Sequence, residues 1–434
     1  MTTLHDIWSG IVGRERNLHA EFLNLRELVD LRFENLLAKP MLVRPLFSTL
    51  RHIKPIFTAP HLAAVSLYPD VKEVLSNSEA FSVVEIYAKK MEATTGVFVL
   101  GMADTPQYKH EIGLMRKAMH PCDLDLIRQF VAETSQEIIE EAAPQGRLDA
   151  VGQLSRVVPT RLLKTYFGTP GPDEVTMMHW MRSIFREIFL NLGNDPRMTE
   201  EATRDARLLT DYLNSLIAQR KAEMASGQTL PDNFLCRLLF LQRDSPETIA
   251  DETIRRILGG TIVGTVDTHS KAIAHALDQL LNRPISLEEA QAVARKDDDD
   301  QFAHYVFEAL RFNPQNPFLI RHCEKDTVIA QGTERETTIK AGSIVLVGTE
   351  SAMFDPAVFP EPDAFHPTRP LENYLHFGHG QHTCFGKSIA EVLIPGVLKP
   401  LLKLEGLRRA SNEELDYDGA FPGKMIVEFT PLSE

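Results

Sequence analysis

Cationic side chains are in short supply. Lysine and arginine number 46 against 60 aspartate and glutamate, a formal net charge of −14. A surface built to hold nucleic acid carries the opposite excess, so nucleic-acid binding is excluded as the main role. A local basic patch for an acidic partner is not excluded. Cysteine is scarce too. Cys122, Cys236, Cys323 and Cys384 form no C-x-x-C pair and no dense framework, so reduced thiols in a cytoplasmic protein are expected. No run of 18 apolar residues occurs, so no membrane anchor is expected. The opening Met1-Thr2-Thr3-Leu4-His5-Asp6 lacks the basic-then-apolar order of a signal peptide. Internal repeats and low-complexity linkers are missing as well.

What is present suits a large buried core. Hydrophobic residues make up 43% and charged residues 24% of 434, ordinary values for a globular chain. Helical periodicity covers residues 124–143, 173–192, 199–224 and 253–282, with Gly168 and prolines 159, 170 and 172 as punctuation. Arg283-Pro284 reads as a stop. The acidic run Asp297 to Asp300 precedes an apolar-periodic segment and suits a helix N-terminus. Short β-rich stretches follow at 326–329, 337–339 and 343–347, then a proline-rich meander over 354–370. A further helix is expected over 386–404 and a strand over 424–429. The fold class expected is mainly α with a small β portion, as a single domain over 1–434.

The sharpest local feature is Phe377-Gly378-His379-Gly380-Gln381-His382-Thr383-Cys384-Phe385-Gly386, running straight into a helix. Its glycines allow close backbone approach. A cysteine at a helix N-terminus is primed as a thiolate, a soft metal ligand. Two metal readings compete. His379, His382 and Cys384 offer three zinc ligands, but the paired short spacings of structural zinc sites are missing. The other reading is a single thiolate ligand to haem iron, with flat packing around it and donors for two propionates.

The string F-x-x-G-x-H-x-C-x-G resembles the cysteine-ligand loop of the cytochrome P-450 family of haem-thiolate monooxygenases. Phe377, Gly380, His382, Cys384 and Gly386 each fall on a motif position. The resemblance implies a triangular helical prism with haem b between a central helix and this loop. It implies Cys384 as the iron ligand, Phe377 packed beside the sulfur, and His382 at a propionate. About seventy residues upstream, Glu308-Ala309-Leu310-Arg311 resembles the family's E-x-x-R pair. Its usual third partner, from the meander, falls on Ala364, which leaves Arg369 or His366 as replacements. Gly264-Thr265-Val266-Asp267-Thr268 resembles the acid–alcohol motif of the central helix, with Thr265 in place of glycine. By that resemblance Asp267 relays protons and Thr268 hydrogen-bonds oxygen or water, at a local helix distortion. Arg321 resembles the arginine that reaches a propionate. Asp104-Thr105-Pro106-Gln107-Tyr108 resembles the entry to a haem-side helix, with Tyr108 and Ile112 where His and Arg are common. Tyr108 is expected to donate one hydrogen bond there, with His110 or Arg116 nearby to compensate for the missing charge.

The activity implied is insertion of one oxygen atom from O2 into a hydrophobic small molecule. No flavin or iron–sulfur motif is present, so a ferredoxin and its reductase are the expected electron source, met by Arg116, Lys117 and Lys387. The expected pocket is lined from 84–99, 175–220, 263–267 and 316–320, including Val263, Thr265, Phe318 and Leu319. Alternatives are a peroxide-driven enzyme or hydroperoxide isomerase on the same fold, for which Thr265 and Tyr108 leave room, and a haem sensor or carrier.

Overall fold

The computed structural model describes residues 40–191, 193–296, 298–411 and 414–431. The opening hexapeptide, Leu192 and Asp297 lie outside them. The chain begins with α1 (Pro40–Ile53), the hairpin β1 (Ile56–Ala59) and β2 (Leu62–Val65), α2 (Tyr68–Ser76), the short β3 (Phe81–Ser82) and α3 (Val84–Glu92). Helices then dominate: α4 (Pro106–Ala118), α5 (Asp123–Ala142), α6 (Val157–Thr165), α7 (Glu174–Phe185), α8 (Pro196–Ala225), α9 (Phe234–Asp244), α10 (Asp251–Val263), α11 (Val266–Leu281), α12 (Pro284–Arg295) and α13 (Asp299–Phe312). Only β4 (Arg147–Asp149) interrupts them. The last third holds β5 (Leu319–Cys323), β6 (Thr327–Ile329), β7 (Thr337–Ile339), β8 (Ile344–Val347), α14 (Thr349–Ala352), α15 (Lys387–Leu402), β9 (Arg408–Arg409), β10 (Asp416–Asp418), β11 (Phe421–Lys424) and β12 (Ile426–Glu428).

Helix starts follow from short polar caps. Thr105 Oγ1 accepts from the Tyr108 N–H at 3.1 Å, with Pro106 in the first turn of α4. Asp173 caps α7 and Asn233 caps α9 in the same way. In the acidic run, Asp298 caps α13 by accepting from Gln301 N–H at 2.9 Å. Pro284 ends α11 and, with no N–H to lose, also opens α12.

The expected single helix over 253–282 is two. α10 ends at Val263 and α11 begins at Val266. Three back-bonding hydroxyls explain the break. Thr261 Oγ1 donates to the Ile257 carbonyl at 2.6 Å and Thr265 Oγ1 to the Thr261 carbonyl at 2.8 Å, while Thr268 Oγ1 donates to the Gly264 carbonyl. Hydroxyls that take helix carbonyls weaken and bend the ladder. The helix expected over 173–192 also changes character. After Phe185 it continues as a wide turn over Arg186–Leu190, with Asn191 N–H donating five residues back to Arg186 at 2.8 Å.

The main sheet has strand order β1-β2-β8-β5-β3, with β2 and β8 parallel and the other pairs antiparallel. Arg321 pairs with Val345 in this sheet, so its side chain is fixed by strand register. The large core joins the helices, and a second apolar cluster lies under the sheet and meander. α15 buries Leu393, Val397, Leu398 and Leu401 against that core, each contributing about 2 kcal/mol. Its Gly396 lets α5 approach closely, since a Cβ there would sit 2.9 Å from Val131 Cγ1. This packing anchors the helix that follows the cysteine loop.

Candidate functional site

The cysteine loop is closed by its own backbone. Cys384 N–H donates to the Phe377 carbonyl at 2.9 Å, and Thr383 Oγ1 donates to the Gly380 carbonyl at 2.8 Å. Gly380 sits at φ +74°, and a Cβ there would lie 2.5 Å from the Leu75 carbonyl oxygen of α2. Only glycine satisfies both conditions. Gly386 caps α15, and a Cβ there would meet Cys384 Sγ at an ordinary contact distance of 3.9 Å. Cys384 has accessible surface, yet protein surrounds it and burial raises its thiol pKa. Burial thus outweighs the helix N-terminus at this sulfur. The Phe377 ring packs edge-on to Phe307 of α13 at 6.0 Å.

Tyr108, His382 and Arg321 meet on one side of this loop. The Tyr108 ring packs edge-on to His382 at 5.9 Å. The Tyr108 O–H donates to the Gln381 carbonyl at 2.9 Å and so holds the loop. His382 is pushed down to about 4 by burial and then by the Arg321 guanidinium, so it offers a neutral N–H donor. Arg321 is 4% exposed and donates to its neighbour's carbonyl, Ile320, at 2.9 Å. Among the described residues no carboxylate pairs with it. A buried guanidinium without an acid is costly unless an anion arrives.

Asp267 and Thr268 lie together where α11 begins. Asp267 is neither a surface carboxylate nor a free relay. It is 1% exposed, and its Oδ1 accepts from Arg182 Nη2 at 2.7 Å and Nε at 3.0 Å, with Arg156 Nε at 3.8 Å. Its Oδ2 is buried without a partner. Arg182, on α7, also donates from Nη1 to Asp418 Oδ2 at 2.8 Å, on the exposed hairpin β10–β11. Thr268 gives its proton to the Gly264 carbonyl, so Oγ1 is left as an acceptor. Sequence reasoning missed Arg182. The available signal was one arginine within the apolar stretch Met177 to Phe185.

The Glu308–Arg311 pair is fully buried, with Nη2–Oε1 2.7 Å and Nε–Oε2 2.8 Å. Arg311 also donates to the carbonyls of Met353, Pro362 and Ala364. Arg369 takes the third place, its Nε 3.5 Å from Glu308 Oε1. His366 contributes only its backbone N–H, at 2.9 Å. Tyr374, not foreseen, donates to Glu308 Oε2 at 2.6 Å. These bonds lock the meander, and so the loop that follows it, onto α13.

An apolar, aromatic cluster packs across α3, the end of α7 and the β10–β11 hairpin. Phe98 fills the groove over Gly260, where a Cβ would be 2.2 Å from its ring. Tyr87 meets Phe189 at 5.3 Å, Phe185 meets Phe189 at 4.5 Å, and Phe185 meets Phe421 at 5.6 Å. α3, α7 and the hairpin β10–β11 thus share one aromatic cluster.

Comparison with known proteins agrees with this arrangement. The family model described as Cytochrome P450 matches residues 57–403. The Mycinamicin IV hydroxylase/epoxidase of Micromonospora griseorubida is 25% identical over 309 residues, 70% of this chain and 72% of that one. Psi-producing oxygenase A of Emericella nidulans is 24% identical over 398 residues, 83% of this chain. The chain spans little more than a third of that relative, 36%. The crystal structure of CalO2 superposes with a TM-score of 0.77 at 21% identity, covering 91% of this chain and 97% of that one.

Proposed function

The chain belongs to the cytochrome P450 family of monooxygenases, and from that premise we propose that it is a single haem b domain that hydroxylates, or otherwise oxidises, a hydrophobic small molecule with electrons from a ferredoxin and its reductase. The carrying observation is Cys384, held at the start of α15 by a glycine-bearing loop that its own backbone closes. The residues around it fit a haem. Arg321 is a buried cation with no acid partner among the described residues, and it stands close enough to His382 to depress that imidazole's pKa. Cys384 would ligate the iron, Arg321 and the His382 N–H would hold a propionate, and Gly380 would keep the loop against α2. Bound haem with a thiolate ligand supplies oxygen activation and O–O cleavage.

The protein's own part is to position groups and manage protons. Asp267 can carry a proton only when Arg182 loosens, and Asp418 is the alternative partner that lets it do so. The unpartnered Asp267 Oδ2 is the atom that would take the proton. Thr268 Oγ1, fixed by its bond to Gly264, accepts a hydrogen bond from water at the helix break. The aromatic cluster excludes bulk water and favours an apolar substrate. Among the described residues no helix is long and apolar enough to cross a membrane, which supports a cytoplasmic location.

A spectral screen of apolar compounds tests the substrate class, read as loss of iron-bound water. Turnover of a hit tests the electron source. We expect product with a ferredoxin system and O2. Product with peroxide alone, and none with the ferredoxin system, would favour the peroxide-driven alternative.

A further inference from the structure

Away from the cysteine loop, three metal-ligating side chains converge between α7 and α8. His179 lies midway along α7. Glu201 and Asp205 are four residues apart near the start of α8 and so share a face. His179 Nε2 is 3.0 Å from Asp205 Oδ2 and 3.7 Å from Glu201 Oε1. All three ligand atoms lie within 4.8 Å of one another. Bonds of about 2.0–2.2 Å at tetrahedral or octahedral angles set two ligands of one ion roughly 3.0–3.5 Å apart. The observed spacings are close to that range before any side chain moves.

The surroundings also suit an ion. Asp205 is buried and oriented by its neighbours: Ser183 Oγ donates to Oδ2 at 2.6 Å, and Arg204 holds Oδ1 at 3.1 Å. Such outer partners fix a ligand's direction. His179 and Glu201 are half-exposed, which leaves room for water to complete the coordination. Two carboxylates against one arginine leave a net negative charge beside the imidazole, which favours a cation. The imidazole nitrogen and the two carboxylate oxygens point toward one another, the donor set that zinc takes from proteins. The other cluster of this kind, His120, Cys122 and Asp123, is different. There the Arg237 guanidinium pairs with both Asp123 oxygens, at 2.5 and 3.0 Å, and already supplies that carboxylate's positive partner.

We propose that His179, Glu201 and Asp205 form a binding site for a divalent ion of the zinc class, joining α7 to α8. The site stands independently of the haem reading. It has a reach toward the catalytic region, because Arg182 follows His179 by three residues on α7 and holds Asp267. A bound ion would tie the helix that carries this arginine to its neighbour.

The test is calorimetric titration of zinc chloride into the chelator-treated holoenzyme, with the haem spectrum confirming that each variant is folded. We expect one ion per chain. His179→Gln and Glu201→Gln should each weaken binding about tenfold or more. No binding would overturn the proposal. So would uptake that the His179 and Glu201 substitutions leave unchanged, since that would place the zinc on other surface groups.

Discussion

Glu350 is 2% exposed, and neither carboxylate oxygen has a partner. Burial pushes its pKa up to about 8, against 4.5 for a free glutamate, and Arg44 and Arg51 offset this only in part. The folded protein therefore keeps a proton that the unfolded chain releases. Between pH 4.5 and 8 the native state binds more protons, so stability falls as pH rises through that window. The penalty is absent below pH 4.5 and complete above pH 8. Glu350→Gln should raise Tm at pH 8 by a few degrees, on the order of 2–4 °C, and leave it nearly unchanged at pH 4.5. Thermal melts at both values check this, and an equal shift at both would contradict it. A second expectation concerns the ion pair at Asp267. Arg182→Gln strands a buried carboxylate and should cost about 3 kcal/mol. Adding Asp267→Asn should restore much of that loss, so the denaturation cycle is strongly non-additive. Legibility at this scale followed sequence distance. Cys384, Gly380 and His382 stand in one ten-residue string, and the loop that groups them was legible there. Arg182 and Tyr374 could not, because they meet Asp267 and Glu308 across 85 and 66 residues. The bond from the Tyr108 hydroxyl to the Gln381 carbonyl could not be read either, since only the folded loop brings that carbonyl to it.

The cysteine loop depends on a glycine wedge against α2. Gly380→Ala adds a left-handed strain of about 1 kcal/mol and a Cβ 2.5 Å from a backbone oxygen that cannot swing aside. The loop must shift, and Tyr108, Ser78 and Thr383, which all bond to it, must shift with it. We expect a lower haem-to-protein ratio after purification and faster haem transfer to an apo-globin acceptor. Wild-type retention would show that the wedge is dispensable. Most elements were legible from periodicity and turn residues: α5, α8, α15, β7 and β8 fall within a few residues of expectation. The departures have local causes. Back-bonding threonines split the central helix, a run of wide turns alters the end of α7, and Pro284 serves two helices at once. The pairing of β2 with β8 joins segments nearly three hundred residues apart, which no local pattern encodes.

For the whole molecule, a net charge of −14 sets the terms for any electron donor. An acidic ferredoxin is repelled on average and must find a local cationic face. Arg116 and Lys117 are exposed in the last turn of α4, and Lys387 is exposed beside the cysteine loop, paired with Glu391 at 3.7 Å. Reversing these three charges should slow ferredoxin-supported reduction about tenfold at low salt and flatten its salt dependence. Stopped-flow reduction of the haem measures both, and unchanged rates and slopes would remove this face from the account. The central claim, however, concerns one bond. The absorption spectrum of the dithionite-reduced, carbon monoxide-bound protein tests it most directly, with the Cys384→Ala variant alongside. The account predicts the red-shifted Soret band of a thiolate-ligated haem in the native protein and its loss in the variant; a band typical of nitrogen ligation in the native protein, or the same thiolate band in both, would contradict it.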